Sequence, residues 1–283
     1  MRSWLFVPCD SERKVAKALA SNADVVILDL EDSVALENKP TARQFAREVL
    51  TSRPQTNAKI YVRVNPLDSG MTALDLKQAV PKNNQHLPDG FMLPKTNHGA
   101  DVQTFAKMLP SPIPIIAIAT ETAASLFNLG TYGDLKANLS AMTWGAEDLS
   151  NALGATTARD DKGNLTEPYR LARNLCLAGA RAAMVEPIDS VYTNFKDTQG
   201  LCIEAQAAVR DGFTGKMAIH PNQIDTINEI FTPSKTEIET AQRIIDAFDR
   251  SDNKGVVAIN GQMFDIPHLK RAEKLLARAL VYK

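Results

Sequence analysis

Val25-Val26-Ile27-Leu28-Asp29-Leu30-Glu31-Asp32 is a fully apolar run that ends in a cluster of carboxylates. The pattern recurs along the chain. Ile115-Ile116-Ala117-Ile118 runs toward Glu121, and Leu139 to Trp144 runs into Glu147-Asp148. One basic counterpart, Arg63, follows Ile60-Tyr61-Val62. Each run has strand length, and α/β proteins place their chemistry where such strands end. If these ends converge, several negative charges crowd together. Two carboxylates about 5 Å apart repel by roughly 3 kcal/mol at an effective dielectric of ~20, so a cation among them is expected. The available donors are oxygens, which point to a hard divalent metal.

Eight short runs read as strands: 3–7, 24–30, 59–64, 90–93, 115–120, 139–144, 182–185 and 216–219. Amphipathic stretches lie between them, at 11–20, 41–50, 101–108, 169–178 and 198–210. This alternation predicts an α/β fold with a parallel sheet and covering helices. Eight units predict a (β/α)8 TIM barrel as the catalytic domain, residues 1–231, with a doubly wound open sheet as the alternative. Residues 232–283 then form a C-terminal helical and hairpin extension. Ser234 followed by Glu237 makes a capping box for a helix over 234–250. Asn260-Gly261 between apolar runs predicts a type I′ hairpin. A last helix, 268–281, carries Leu269, Ala272, Leu275, Leu276 and Ala279 on one face. Such an extension needs a surface to pack on, either its own barrel or a neighbouring subunit.

Bulk properties narrow the function. The 283 residues carry a net charge of −1, which gives no footprint for nucleic acid or anionic lipid. No run of 18 apolar residues and no signal peptide is present, so a cytoplasmic protein without membrane contact is expected. The three cysteines, Cys9, Cys176 and Cys202, lack CxxC spacing, which argues against disulfides and zinc. There is no GxSxG, GxGxxG, GxxxxGKS or HExxH.

Glu121 and Asp148 are the sharpest pair. They close neighbouring strands five and six, where two monodentate oxygens can share one Mg²⁺ and leave positions for substrate and water. Either alone also reads as a helix cap or first-turn charge. Glu31 and Asp32 read as metal- and water-positioning groups, or as solvated loop charges. Arg63 serves as their counter-ion, or holds a substrate carboxylate or thioester oxygen by charge-assisted bonds. Lys39 and Arg43, four residues apart on one helix face, read as a solvated basic face or a phosphate contact. Lys95 in Leu93-Pro94-Lys95 has the same two readings. His220, before Pro221 at a first helical position, reads as a packing histidine or as part of a cofactor pocket.

With these residues laid out, the chain resembles the citrate lyase beta-subunit family, within the wider HpcH/HpaI aldolase, citrate lyase and malyl-CoA lyase superfamily. The likeness is carried by Arg2 to Pro8, Val26 to Val34 with Lys39 and Ala42-Arg43, Val62 to Asn65, Leu93 to Lys95, Glu121-Thr122, Gly145 to Leu149, and Gly215-Lys216 through Gln223. It implies a Mg²⁺-dependent carbon–carbon lyase acting on a β-hydroxyacyl-CoA thioester of the citryl, citramalyl or malyl type. It implies Glu121 and Asp148 as metal ligands, Arg63 on the thioester, and Glu31-Asp32 orienting metal-bound water. It implies Asp265, on a C-terminal lid, as acid/base in a neighbouring subunit's site, in a homotrimer or hexamer. Lys39, Arg43, Lys95 and His220 are the candidate contacts to substrate or CoA. Cys9 stands where the family typically has glycine, and Thr120 where an aliphatic residue is commoner. A malyl-CoA-type thioesterase and a subunit acting on an acyl-carrier protein are the rival readings.

Overall fold

Eight parallel strands close on themselves in sequence order in the computed structural model, which describes residues 1–82, 86–133, 135, 138–251 and 255–282. They are β1 (Ser3–Pro8), β2 (Val25–Asp29), β3 (Lys59–Arg63), β4 (Gly90–Leu93), β5 (Ile115–Thr120), β6 (Leu139–Trp144), β7 (Glu186–Asp189) and β8 (Gly215–Ala218). The open-sheet alternative is thereby set aside, because β1 pairs with both β2 and β8. Alternate side chains fill the interior, among them Trp4, Ile27, Tyr61, Met92, Ile118 and Met217. Trp4 and Tyr61 meet edge to face at 5.4 Å. Gly90 makes room for that pair, since a β-carbon there would lie 1.9 Å from the Tyr61 ring.

The connecting helices are α1 (Glu12–Leu19), α2 (Lys39–Ser52), α3 (Thr72–Ala79), α4 (Gly99–Met108), α5 (Ala146–Leu153), α6 (Glu167–Ala182), α7 (Thr198–Asp211) and α8 (Ile224–Phe231). Two short 3₁₀ turns, Ala124–Phe127 and Leu129–Tyr132, join β5 to β6. Helix α3 goes beyond the sequence reading, which placed a helix after the eighth strand and weighed one at Asp148. One strand is displaced from it. The expected strand at 182–185 is the end of α6 and its exit turn, where Met184 is exposed with φ 56°. The true strand is Glu186-Pro187-Ile188-Asp189, whose proline and acids read as loop signals.

The chain divides into two compact units, Met1–Asn228 and Glu229–Lys283. The second unit holds α9 (Lys235–Asp249), the antiparallel pair β9 (Val256–Ile259) and β10 (Gln262–Asp265), and α10 (Ile266–Val281). Its own small core comprises Ala241, Ile244, Phe248, Val257 and Ala272. Ser234 and Glu237 form the expected capping box, a device worth ~1 kcal/mol. Asn260 (φ 50°) and Gly261 (φ 80°) take the two left-handed positions that a type I′ turn needs. Among the described residues no helix is long and apolar enough to cross a membrane.

Candidate active site

The C-terminal ends of β2 and β3 are joined by charge. Asp29 and Arg63 are register partners. The Arg63 Nε donates to Asp29 Oδ1 at 2.7 Å and Nη2 to Oδ2 at 2.6 Å, a bidentate grip. Its third nitrogen, Nη1, lies 2.8 Å from Glu31 Oε2. The Phe6 ring sits under the guanidinium, 4.8 Å away. Asp29 also caps its own turn, accepting from the Glu31 N–H at 2.9 Å and from the Ser33 hydroxyl. Burial works to raise the Asp29 pKa, but the charge and bonds of Arg63 more than offset it and hold the carboxyl low. Arg63 is correspondingly locked in its charged form.

A second cation binds the other acids. Lys95 Nζ contacts Glu31, lies 2.9 Å from Asp32 Oδ2 and 3.3 Å from Asp148 Oδ1. Its backbone is left-handed at φ 53°, a conformation costing on the order of 1–2 kcal/mol in a side-chain-bearing residue. That geometry aims the Lys95 N–H at Glu121 Oε2, 2.6 Å away. Burial pushes the Glu31 carboxyl up to about 7, with Arg63 and Lys95 pulling against it.

Glu121, directly after β5, is buried. Asp148 lies in the first turn of α5, one turn past β6, and is partly exposed. It is thus a first-turn charge, and its contact with Lys95 places its carboxylate among the acids at the strand ends. Burial first, and then the Asp148 charge, push the Glu121 carboxyl up to about 8. Among the described residues no Lys, Arg or His lies within ion-pair distance of Glu121. The pocket around it is tight: a β-carbon at Gly145 would stand 2.8 Å from Glu121 Cγ and 2.9 Å from Oε1. A buried, uncompensated carboxylate beside a second one, all donors oxygen, fits a hard divalent cation. Among the described residues no three His, Cys, Asp or Glu side chains gather closely enough to hold a metal. Glu121 and Asp148 are the two carboxylates that could hold such an ion.

Comparison with known proteins follows the same line. The family model HpcH/HpaI aldolase/citrate lyase matches residues 2–221, and a model described as a C–C bond lyase of the TIM-barrel fold matches residues 170–283. The chain belongs to the HpcH/HpaI aldolase/citrate lyase family. It is an enzyme of the carbon–carbon lyase class. A (3S)-malyl-CoA thioesterase of Cereibacter sphaeroides is 34% identical over 98% of this chain and 94% of its own. A mitochondrial citramalyl-CoA lyase of Mus musculus is 32% identical over 100% of this chain and 87% of its own. The protein CitE of Mycobacterium tuberculosis, solved with magnesium, acetoacetate and coenzyme A, superposes with a TM-score of 0.81 at 33% identity, covering 98% of this chain and 97% of that one.

Within this family frame, two expected basic residues take a different place. Lys39 and Arg43 form no exposed basic face. All three Lys39 ammonium donors are used inside, on Leu30 O (2.9 Å), Glu31 O (3.0 Å) and Asn65 Oδ1 (2.8 Å). Arg43 Nε donates to the fully buried Asp75 at 2.7 Å. Asp75 in turn accepts from the Asn65 N–H at 2.7 Å and its side-chain amide at 2.8 Å. The helix face that the spacing picked out is turned toward the barrel, and it clamps the turn that carries Glu31. His220 caps the turn Pro221–Gln223, its Nδ1 accepting from the Asn222 N–H at 3.2 Å, and its ring stacks on Phe195 at 4.8 Å. Burial, and then the charge of Lys17, lower its proton affinity. Cys9 is fully buried and its N–H donates to Asp29 O at 3.1 Å.

In the second unit, Asp265 precedes α10, half exposed, 2.5 Å from His268 Nδ1. That bond keeps the carboxyl low and ionised. Asp29 belongs to the carboxylate cluster that the sequence reading took as metal- and water-positioning or as cap and loop charges; the structure makes it the bidentate partner of Arg63. Gly145, met in the sequence only as part of a family motif, packs against Glu121.

Proposed function

We propose that the chain is a Mg²⁺-dependent lyase that cleaves, or condenses, a β-hydroxyacyl-CoA thioester of the citryl, citramalyl or malyl type, giving an acyl-CoA and a keto acid. The observation that carries this reading is Glu121: buried, without an ion-pair partner among the described residues, and feeling the charges of both Asp148 and the fixed guanidinium of Arg63. The magnesium, acetoacetate and coenzyme A of the CitE complex support it.

Glu121 and Asp148 hold the ion in this reading. When bound, it supplies Lewis acidity at the hydroxyl and carboxylate oxygens of the hydroxy-acid part. Arg63 meets the charge that develops on the thioester oxygen as the carbon–carbon bond breaks. Asp29 and Glu31 fix its orientation beforehand, so little reorganisation is needed at that moment. Glu31 and Asp32, tied by Lys95, orient water at the mouth. Asp265 carries the proton to or from the enolate carbon, and a second copy of the chain supplies it, in a homotrimer or hexamer. With Lys39 and Arg43 committed inside, the CoA phosphates meet other cations. Exposed Arg13, Lys14 and Lys17, on the helix that follows β1, are the residues we assign to them.

A second reading, thioester hydrolysis, is favoured by the relatives named malyl-CoA thioesterase. One experiment separates the two. The chain is incubated with Mg²⁺ and a panel of citryl-, citramalyl- and malyl-CoA, and the acids released are weighed by mass spectrometry. Free keto acid is the expected product. Free hydroxy acid alone makes the chain a hydrolase, and no turnover of any thioester sinks the proposal.

A further inference from the structure

Asp148 follows β6, and the end of that strand is weakly held by backbone. On the β7 side the register pairs are Ala141 with Glu186 and Met142 with Pro187, and among the described residues no ladder pair continues beyond them. Pro187 has no N–H to donate. On the β5 side the register slips between Ile118 and Thr120, and the Gly145 N–H reaches Thr120 O only at 3.4 Å. Yet Glu121 and Asp148 must keep one spacing to share an ion.

A side chain supplies the missing tie. Trp144, the last residue of β6, donates its indole N–H to Asp189 Oδ1 at 2.8 Å. Asp189 ends β7 and is 1% exposed. Its Oδ2 accepts from Lys216 Nζ at 2.9 Å, and its Oδ1 also accepts from Arg173 Nε at 3.1 Å. Lys216 is completely buried and satisfied, donating further to Ser190 O at 2.8 Å and Glu204 Oε1 at 2.9 Å. Buried ions are costly to desolvate and are weak evidence of stabilisation by themselves. Here they pin an acceptor at the C-terminal end of β6, where the ladder to β7 has already stopped. The pinned indole is followed at once by Gly145, which packs on Glu121, and then by the helix turn that carries Asp148.

We propose that the Trp144–Asp189–Lys216 unit, lying between the barrel wall and helices α6 and α7, sets the spacing of Glu121 and Asp148 and so tunes the affinity for the divalent ion. Trp144 and Asp189 are positioning residues in this scheme, which rests on the metal reading above.

The test is Mn²⁺ binding to the substrate-free protein, read from the electron paramagnetic resonance of free Mn²⁺, for wild type, Trp144→Phe, Arg53→Met and Glu121→Gln. Trp144→Phe is expected to weaken binding roughly tenfold, as other supporting contacts around metal ligands do. Arg53→Met removes the ion pair with Asp89, which precedes β4 at the opposite end of the barrel, so it lowers the melting temperature and leaves Mn²⁺ affinity at the wild-type value. Wild-type affinity in Trp144→Phe overturns the proposal, as does an equal loss in Arg53→Met, which means general loosening. Should Trp144→Phe fold poorly, benzothienylalanine at position 144 removes the N–H while keeping the bicyclic shape. Glu121→Gln separates the two layers. If it binds Mn²⁺ like wild type, the metal reading itself falls; if it does not bind while Trp144→Phe binds normally, only the present inference falls.

Discussion

Asp29 and Arg63 face each other across neighbouring strands, and each uses the full geometry of the other: two parallel bonds of 2.7 and 2.6 Å join the carboxylate to the guanidinium edge. Neither is free to turn. In the proposed reaction Arg63 offers its charge to substrate from a fixed position, which is the condition for stabilising a developing oxyanion without reorganisation.

Arg63→Lys tests the fork as distinct from the charge. A lysine bonds Asp29 through one point and cannot also reach Glu31 in the same geometry. We expect kcat to fall about 100-fold or more, the size of a lost oxyanion donor, with a smaller change in KM. The melting temperature should drop too, since a buried charge-assisted bond worth roughly 1.5–3 kcal/mol is lost. Steady-state kinetics with a thioester substrate and thermal unfolding read both. An unchanged kcat removes Arg63 from the chemical step.

Gly145→Ala probes the pocket around Glu121 by shape alone. The Gly145 backbone is extended (φ −127°, ψ 114°), so alanine is conformationally acceptable there. The added methyl meets the Glu121 carboxylate, and relief requires Glu121 or the start of α5 to move. Overpacking of this kind costs about 1–3 kcal/mol. The expected result is a modest loss of stability with a large rise in the Mg²⁺ concentration needed for half-maximal activity. A Mg²⁺ dependence equal to wild type would show that Glu121 is not confined as the geometry requires.

The barrel was legible because apolar runs of strand length alternate with amphipathic stretches, a pattern that survives errors at individual boundaries. It failed at β7, where Glu186-Pro187-Ile188-Asp189 contains everything that ordinarily marks a loop. The strand exists because its neighbours and helices bury it, and that tertiary fact has no local signal. The grouping of Arg63, Glu31, Asp32 and Asp148 was readable from one rule, that strand ends converge; that Lys95 pairs with these acids instead of standing as a solvated or phosphate-binding charge was not. What Lys39 and Arg43 do was not, because helical spacing tells which residues share a face and not which way the face turns. Asp75 and Asn65, which bind them, are more than twenty residues away in sequence. Asp189 and Lys216 were invisible for the same reason: each is a single charge that becomes a pair only once β7 and β8 lie side by side.

That buried pair gives the chain pH-dependent stability at both extremes. Burial opposes ionisation of Asp189, but Lys216 and Arg173 more than offset it, so its folded value lies below the ordinary ~3.9. The sign follows from linkage: the stabilisation is present above about pH 4 and is lost as pH falls through the lower, folded value. For Lys216 the charges of Asp189 and Glu204 outweigh burial and raise the folded value above the ordinary ~10.4. Its contribution is present below about pH 10 and is lost as pH rises through the folded value. Asp189→Asn should cost about 3–5 kcal/mol near neutral pH, where it leaves Lys216 under-compensated. The difference from wild type should narrow below pH 4. Urea unfolding from pH 2.5 to pH 7 measures it, and a difference that stays constant across that range contradicts the assignment.

Asp265 provides the most demanding test of the proposed assembly. If its carboxylate serves the site of a second copy, then a site needs Arg63 from one chain and Asp265 from another. Asp265→Asn and Arg63→Lys proteins should each be nearly inactive alone, and deuterium exchange into acetyl-CoA should collapse in the first. Mixed after dissociation and slow reassociation, the two should recover roughly a quarter of wild-type activity, the share of sites that random pairing in a closed ring fills with an intact residue of each kind. Native mass spectrometry verifies that hybrids have formed. Hybrids without recovered activity mean that Asp265 works within its own chain or not at all. In that case, undiminished deuterium exchange in Asp265→Asn decides for the latter and moves the search for the acid/base to the carboxylates at the barrel mouth.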